Sequence, residues 1–331
     1  MALSRAQPWA RSQGGRPANS RSIWRPFQTA KKFVTAPALI QEHLNRQQRR
    51  IEEALERLTP AETEYPVSIH KAMRYSLFAG GKRIRPILCL EAAAAVSDST
   101  PGIETAASAL EMIHTYSLIH DDLPALDNDD YRRGQPSCHK AFGEAIAILA
   151  GDALLTRAFQ IVAEMETVPA ERCVRIACEL ARAAGTVDGM IGGQVADLEA
   201  EGKPVEEAHL HYIHRAKTAA LIRAAVRVGG IYAGAADAQL DALSCFGAQI
   251  GLAFQIVDDV LDVVASTEGL GKTAGKDARQ QKATFPALYG IERSRAMALE
   301  AQQTAVNALA LFGDRADGLR GLARLIVERS A

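Results

Sequence analysis

EMIHTYSLIHDDLPALD, residues 111–127, joins an apolar segment with helical spacing to three aspartates near its end. A second cluster, Asp258-Asp259-Val-Leu-Asp262, follows the equally apolar run Phe254-Gln-Ile-Val257. Carboxylates among apolar side chains repel one another and are costly to bury unless a cation neutralises them. Oxygen ligands in sets of two or three suit Mg²⁺ that also binds phosphate oxygens. The clusters therefore predict a magnesium and phosphate site; a solvated acidic surface is the alternative.

The two clusters differ in local geometry. The first and last aspartates of the second cluster are four residues apart, so on a helix they share a face. In the first cluster, Asp121 and Asp127 are six residues apart, and Pro124 between them is expected to bend or end the helix. Such a bend would let both carboxylates approach one cation.

Composition indicates a globular protein without a generic attraction for nucleic acid. The chain has 331 residues, 48% of them hydrophobic, and a formal net charge of −1. Its five cysteines form no Cys-x-x-Cys pair, which favours reduced thiols over disulfides or a zinc site. We find no uninterrupted apolar run of about 18 to 20 residues, so no membrane span is predicted.

Residues 42–331 have a helical pattern almost throughout, rich in Ala, Leu, Glu, Arg and Gln and with few β-branched runs. We predict one all-α domain over this range. Its segments are separated by turn signals at Thr59-Pro60, Gly80-Gly81, Ser97 to Gly102, Arg133-Gly-Gln-Pro136, Glu201-Gly-Lys-Pro204, Gly229-Gly230 and Gly269-Leu-Gly271.

Residues 1–41 differ from the rest of the chain. They contain seven basic residues, no acidic residue and several Ser, Gly and Pro, which predicts a disordered N-terminal extension. This composition suits an organellar transit peptide, but an untargeted tail or a translation start placed too early would look the same. A secretory signal is not predicted because the apolar core of such signals is absent. We expect a cytoplasmic protein, with organellar import through residues 1–41 as the alternative.

Several basic groups are suited to binding phosphate. Gly80-Gly-Lys82-Arg83-Ile-Arg85 is a glycine turn followed by three cations, although ordinary loops share this pattern. Arg132 and Arg133 follow two aspartates that they could instead neutralise. Lys217-Thr218 offers an ammonium and a hydroxyl, or simply a surface lysine.

Two familiar ion and nucleotide motifs are excluded. Gly271-Lys272-Thr273 resembles the end of a P-loop, but Ser266 stands where that motif requires glycine and no strand precedes it. Lys272 remains a candidate phosphate ligand. Counting an EF-hand from Asp127 places Arg132 where glycine is needed. His114 lies two helical turns before Asp121 and is a candidate hydrogen-bond donor, or a packed core histidine.

Taken in order along the chain, these motifs resemble the trans-isoprenyl diphosphate synthases, most closely the bacterial type of farnesyl diphosphate synthase. The resemblance covers residues 42–331. It rests on Gly80-Gly-Lys-Arg-Ile-Arg-Pro86, residues 111–127, Arg132-Arg133-Gly134, Gly193-Gln194 with Asp197, Lys217-Thr218, Phe254 to Asp262, and Leu270-Gly-Lys272.

The resemblance implies an isoprenoid synthase-type helical bundle around a deep central cavity, usually as a homodimer. It implies that about three Mg²⁺ ions, or Mn²⁺, bind with substrate to Asp121, Asp122, Asp127, Asp258, Asp259 and Asp262. Contacts to the allylic diphosphate are implied for Arg132, Lys217, Thr218, Gln255 and Lys272. Contacts to isopentenyl diphosphate are implied for Lys82, Arg85, His114 and Arg133. The residues expected to carry catalysis are Asp121, Asp122, Asp127, Lys217 and Asp258.

Product length is expected to depend on Tyr116, five residues before Asp121. In the family, residues at this place form the floor of the elongation pocket, and a bulky ring stops growth. With the Pro124-Ala125 insertion, this resembles enzymes that stop at C15, (2E,6E)-farnesyl diphosphate; simple helix packing is the alternative role of Tyr116. The rival functions are a geranylgeranyl diphosphate synthase and, less in keeping with the motifs, a terpene cyclase or an inactive prenyl-diphosphate-binding subunit.

Overall fold

The structure, a computed structural model, describes residues 37–204, 206–268 and 284–328. Its α-helices are α1 (Pro37–Leu58), α2 (Val67–Leu77), α3 (Ile84–Val96), α4 (Ile103–Asp121), α5 (Cys138–Phe142), α6 (Glu144–Ala163), α7 (Ala170–Ala184), α8 (Met190–Ala200), α9 (Glu207–Ile213), α10 (Ala220–Ala233), α11 (Asp237–Glu268), α12 (Phe285–Tyr289), α13 (Ile291–Ala308) and α14 (Asp317–Glu328). A π-helix, His214–Ala219, joins α9 to α10, and a 3₁₀-helix, Leu309–Ala316, joins α13 to α14.

The predicted all-α class is confirmed. Helices α3, α4, α10 and α11 form the centre, with α6 packed on α4 and α13 packed on α11. Their apolar faces meet in one continuous core in which Leu88, Leu110, Val226 and Ile250 are fully buried. A smaller apolar cluster surrounds Phe285 beneath the second aspartate motif. Most predicted turn signals also fall between helices, including Ser97 to Gly102 between α3 and α4.

The break predicted at Gly229-Gly230 is wrong, because both glycines lie inside α10. A β-carbon at Gly229 would overlap the Cys89 carbonyl oxygen and lie 3.0 Å from Cβ of Ala92. A β-carbon at Gly230 would lie 2.7 Å from Leu243. These glycines allow α10 to pack closely between α3 and α11, so packing rather than chain reversal explains them.

A short hairpin occupies the loop predicted at residues 133–136. Tyr131–Arg132 pairs antiparallel with Gln135–Pro136. The turn residues Arg133 and Gly134 have φ of 53° and 79°, as a two-residue hairpin turn requires. The strands are only two residues each, too short for an alternating pattern to predict them.

Helices α6 and α11 are long and apolar enough to cross a membrane by length and composition alone. Within the bundle, 39% and 50% of their most apolar windows are buried. Core helices of soluble proteins have the same properties, so these helices are weak support for a membrane span.

The described chain starts shortly before the predicted boundary between residues 41 and 42. Helix α1 begins at Pro37, and Ile40 within it is buried. Residues 1–36, which make up most of the predicted extension, lie outside the described residues.

Candidate active site

The first aspartate motif forms the end of α4 and a loop that folds back onto it. Helix α4 ends at Asp121, and the backbone N–H of Asp127 donates to the Asp121 carbonyl oxygen at 2.9 Å. The Asp129 N–H donates in the same way to the Asp122 carbonyl at 3.2 Å. The predicted helix end before Pro124 is confirmed, and the loop after it brings Asp127 and Asp129 back to the end of α4.

The carboxylate of Asp121 lies in an environment that favours its neutral form. Burial raises its pKa to about 6, as does repulsion from Asp127 and Asp122, while Lys217 and Arg132 oppose the rise. Because these four groups act on one carboxyl, the first motif and Lys217 belong to one electrostatic site. A bound cation would relieve the repulsion and restore the carboxylate.

Asp122 is tied to Arg132. Its carboxylate is 2% exposed and accepts a hydrogen bond from Arg132 Nε at 3.0 Å, with a second, shorter bond from the terminal guanidinium nitrogen. Burial nevertheless raises the pKa of Asp122. Arg132 also lies 3.6 Å from Asp129, so the expected neutralisation of its acidic neighbour is present beside the pairing with Asp122.

Lys217 and Thr218 lie in the π-helix, a segment type that is frequent at functional sites. The ammonium of Lys217 donates to Asp197 at 2.6 Å. Gly193 on α8 permits this approach, because a β-carbon there would lie 2.6 Å from Cα of Lys217. The sequence pattern did not predict the π-helix, since the residues concerned are ordinary helix formers.

A hydrogen-bonded series joins the π-helix to the second aspartate motif. The Thr218 hydroxyl donates to Gln255 at 2.9 Å, and the Gln255 amide donates to Asp259 at 2.8 Å. Asp259 is buried and also accepts from the backbone N–H of Phe285 at 3.0 Å. Its oxygens are thus held by protein groups, so its predicted metal role stays a prediction.

The other two aspartates of that motif are more accessible. Asp258 is partly exposed and Asp262 is exposed, unlike buried Asp259 between them. The charge of Asp258 favours the cationic form of Arg85, whose pKa burial lowers. This interaction places the second motif within electrostatic reach of the Gly-Gly-Lys-Arg segment.

Of the three cations in that segment, Arg83 has a structural role. Its buried guanidinium donates to Glu52 at 2.7 Å, to Glu111 at 2.6 Å and to the Leu77 carbonyl at 2.7 Å. Lys82, by contrast, is exposed.

Arg85 and Arg133 act electrostatically on His114. The Nε of Arg85 is buried and, among the described residues, has no hydrogen-bond partner. The guanidinium of Arg133 donates to the Gly80 carbonyl. Burial lowers the pKa of His114 well below its usual value, and the positive charges of Arg85 and Arg133 lower it further. This cluster offers positive charge and a neutral imidazole to an anion.

Tyr116 lies one and a half turns before the aspartates on α4. Its ring is 5% exposed, and burial, then the charge of Asp121, raises the pKa of its phenol to about 12. The hydroxyl is buried without a hydrogen-bond partner in the described part of the chain. An apolar end wall tolerates such a ring better than a polar binding site would.

The donor set fits a hard divalent cation. Asp121, Asp127, Asp258 and Asp262 offer carboxylate oxygens, and the pKa of Asp121 is raised first by burial and then by repulsion from Asp127 and Asp122, a charge cost that a bound cation would lower. Within residues 37–204, 206–268 and 284–328, no three His, Cys, Asp or Glu side chains already converge as a metal site. Lys272, the remaining predicted phosphate ligand, lies outside the described residues.

An all-α bundle that combines two aspartate motifs, a lysine and a cationic cluster suits an enzyme that binds diphosphate esters. A sequence profile of the polyprenyl synthetase family matches residues 66–309. The chain belongs to this family, has the isoprenoid synthase fold and is a prenyltransferase that elongates prenyl chains.

Relatives with different products are equally similar to the chain. Farnesyl diphosphate synthase of Geobacillus stearothermophilus is 48% identical over 270 residues, covering 80% of this chain and 90% of the relative. The chloroplastic geranylgeranyl pyrophosphate synthase of Catharanthus roseus is 49% identical over 267 residues, covering 80% and 74%. The apo structure of an FPP/GFPP synthase from Zymomonas mobilis superposes with a TM-score of 0.79 at 34% identity, covering 88% of this chain and all of that one (100%).

Proposed function

We propose that this prenyltransferase joins isopentenyl diphosphate head-to-tail to dimethylallyl diphosphate and then geranyl diphosphate, and stops at (2E,6E)-farnesyl diphosphate. The observation that carries the C15 assignment is Tyr116, a large buried side chain whose backbone lies about 7.5 Å along α4 from that of Asp121, at 1.5 Å per residue. A chain growing from a diphosphate at Asp121 along α4 would meet this ring.

Ionisation of the allylic substrate needs neutralisation of its departing diphosphate. Mg²⁺ held by Asp121, Asp122, Asp127, Asp258 and Asp262, with Asp259 as a further candidate, would stabilise the charge that develops on that group. Lys217 is positioned by Asp197 at 2.6 Å and would contact the same oxygens. Thr218, Gln255, Arg132 and Lys272 are the other proposed contacts.

Isopentenyl diphosphate is proposed to bind at Lys82, Arg85 and Arg133, with neutral His114 donating a hydrogen bond. Arg85 has a buried Nε and Arg133 donates to the Gly80 carbonyl, so both offer guanidinium donors, and Lys82 in the same Gly-Gly-Lys-Arg segment offers an exposed ammonium. The alkene attacks the allylic cation, and the proton then leaves to an oxygen of the released diphosphate.

The second candidate is a geranylgeranyl diphosphate synthase, because relatives with that name are as similar as those named for farnesyl diphosphate. A C20 product would require the pocket to extend past Tyr116. The difference therefore concerns the end wall and not the charged groups.

Assembly as a homodimer belongs to the proposal. Helix α6 is strongly apolar, yet it exposes Ile148 and Leu149 at 44% and 53%. On α8, Ile191, Val195 and Leu198 repeat at helical spacing and are also exposed. Such faces suit a second copy of the chain.

A cytoplasmic location, or import directed by residues 1–41, remains a prediction.

One assay tests the assignment. Purified protein is incubated with Mg²⁺, isopentenyl diphosphate and either dimethylallyl or geranyl diphosphate, and the products are separated by chain length. We expect C15 as the dominant product from both primers and loss of turnover on chelation. A dominant C20 product would transfer the assignment to geranylgeranyl synthesis, and condensation indifferent to chelation would refute the metal site.

A further inference from the structure

His120 packs against the tyrosine ring that forms the proposed end wall of the pocket. It follows Tyr116 by one turn on α4, and the two rings meet edge to face with centroids 5.8 Å apart and an interplanar angle of 78°. The Tyr116 hydroxyl has no hydrogen bond among the described residues that could hold the ring from its other end. The imidazole is therefore one of the groups that hold the tyrosine ring, together with its neighbours in the apolar core.

The imidazole is itself held by α6. Its Nε2 lies 3.0 Å from the carbonyl oxygen of Ile148, to which it donates in the corresponding tautomer. A weaker contact places the same nitrogen 3.9 Å from the carboxylate of Asp152. Helix α6 thus fixes the position of the imidazole that contacts Tyr116.

Gly151 leaves the space that His120 occupies. A β-carbon at this position would overlap the imidazole, at 2.5 Å from Cδ2 and 2.9 Å from Cε1. Gly151 is buried inside α6, where glycine is less favourable than alanine. The close approach of His120 gives a specific reason for that glycine.

We propose that His120, seated against Gly151 and the Ile148 carbonyl, is a positioning residue that controls product length through Tyr116. The proposal rests on the proposed function, since it concerns where elongation stops. The carbons of the substrate touch Tyr116, and His120 acts on them only through its contact with that ring.

A double-mutant cycle tests this dependence. His120→Ala, Tyr116→Ala and the double variant are assayed in the full-length enzyme, with product ratios compared at equal isoprene incorporation. We expect His120→Ala to raise the ratio of C20 and longer products to C15 about threefold to tenfold, because an aromatic edge contact is lost. In the Tyr116→Ala background the same change should have no further effect. An unchanged ratio in His120→Ala, or an equal increase in both backgrounds, would overturn the proposal.

Two further variants separate support of the ring from general damage. His120→Phe keeps a ring against Tyr116 but loses the bond to the Ile148 carbonyl, so its ratio should lie between those of wild type and His120→Ala, whereas Asp152→Ala removes only the weaker contact and should not change the ratio. Gly151→Ala pushes the imidazole away from α6 and toward Tyr116, so the share of C10 product should rise. Loss of C15 control in His120→Phe equal to that in His120→Ala, or a rise in longer products with Gly151→Ala, would contradict the arrangement. If the wild-type enzyme makes C20, the proposed function fails, but the cycle still reports whether His120 acts through Tyr116.

Discussion

Substitution of the neighbouring cations Lys82 and Arg83 should affect different properties: loss of Arg83 should lower stability, and loss of Lys82 should weaken substrate binding. Arg83→Met removes a buried guanidinium that donates to Glu52, Glu111 and the Leu77 carbonyl, and it leaves the 2% exposed Glu111 without its cation. Breaking a buried ion pair from one side costs about 3–5 kcal/mol. With a urea slope of about 3 kcal/mol per M, the unfolding midpoint should fall by about 1.0–1.7 M. Lys82→Met should leave that midpoint unchanged.

Activity gives the complementary measurement. Lys82→Met should raise KM for isopentenyl diphosphate, since it removes an exposed ammonium proposed to bind that diphosphate. The variant Arg83→Met with Glu111→Gln should regain part of the stability, because no uncompensated charge remains buried. The division of roles is refuted if Arg83→Met unfolds at the wild-type urea concentration, or if Lys82→Met is as unstable as Arg83→Met.

Four other substitutions test the site and the packing. Tyr116→Ala should shift the products toward C20 or longer by opening the end wall, and an unchanged C15 product would refute the floor assignment. Lys217→Ala should lower kcat about 100-fold, as loss of one preorganised charge does, and steady-state kinetics with geranyl diphosphate would detect it. Since the pKa of His114 is lowered in the fold, proton uptake favours the unfolded chain as pH falls through about 6.5, so His114→Asn should lessen the loss of stability between about pH 7 and 5 in urea titrations. Gly229→Ala should cost about 1–3 kcal/mol of unfolding free energy because its β-carbon would overlap the Cys89 carbonyl, whereas Gly321→Ala within α14 meets only ordinary contacts, the nearest at 3.5 Å from Ile40, and should cost far less.

Local signals predicted much of the fold and the first motif. Pro124 indicated the helix end at Asp121, because proline cannot continue the hydrogen-bond pattern. Most of the helix breaks followed glycine and proline for the same local reason. The grouping of charged residues at one site followed from residue types whose burial requires a counter-charge.

Features that depend on neighbouring helices could not be predicted. Gly229 looks like a turn residue until Cys89 of α3 is placed against it. Arg83 resembles Lys82 in sequence, and only the positions of Glu52 and Glu111 separate a structural cation from an accessible one. The acidic side chain of Asp259 matches those of its neighbours, yet the backbone of Phe285 holds it in the interior.

The π-helix at His214–Ala219 makes the position of Lys217 depend on the number of residues in that segment. An α-helix advances about 100° per residue, so deleting one residue from the wide turn would rotate the preceding chain against α10 by about that angle. A substitution at Lys217 leaves the backbone path intact. A deletion in the π-helix would instead turn the Lys217 side chain away from the aspartates. We therefore expect the π-helix His214–Ala219 to tolerate substitutions better than insertions or deletions of single residues.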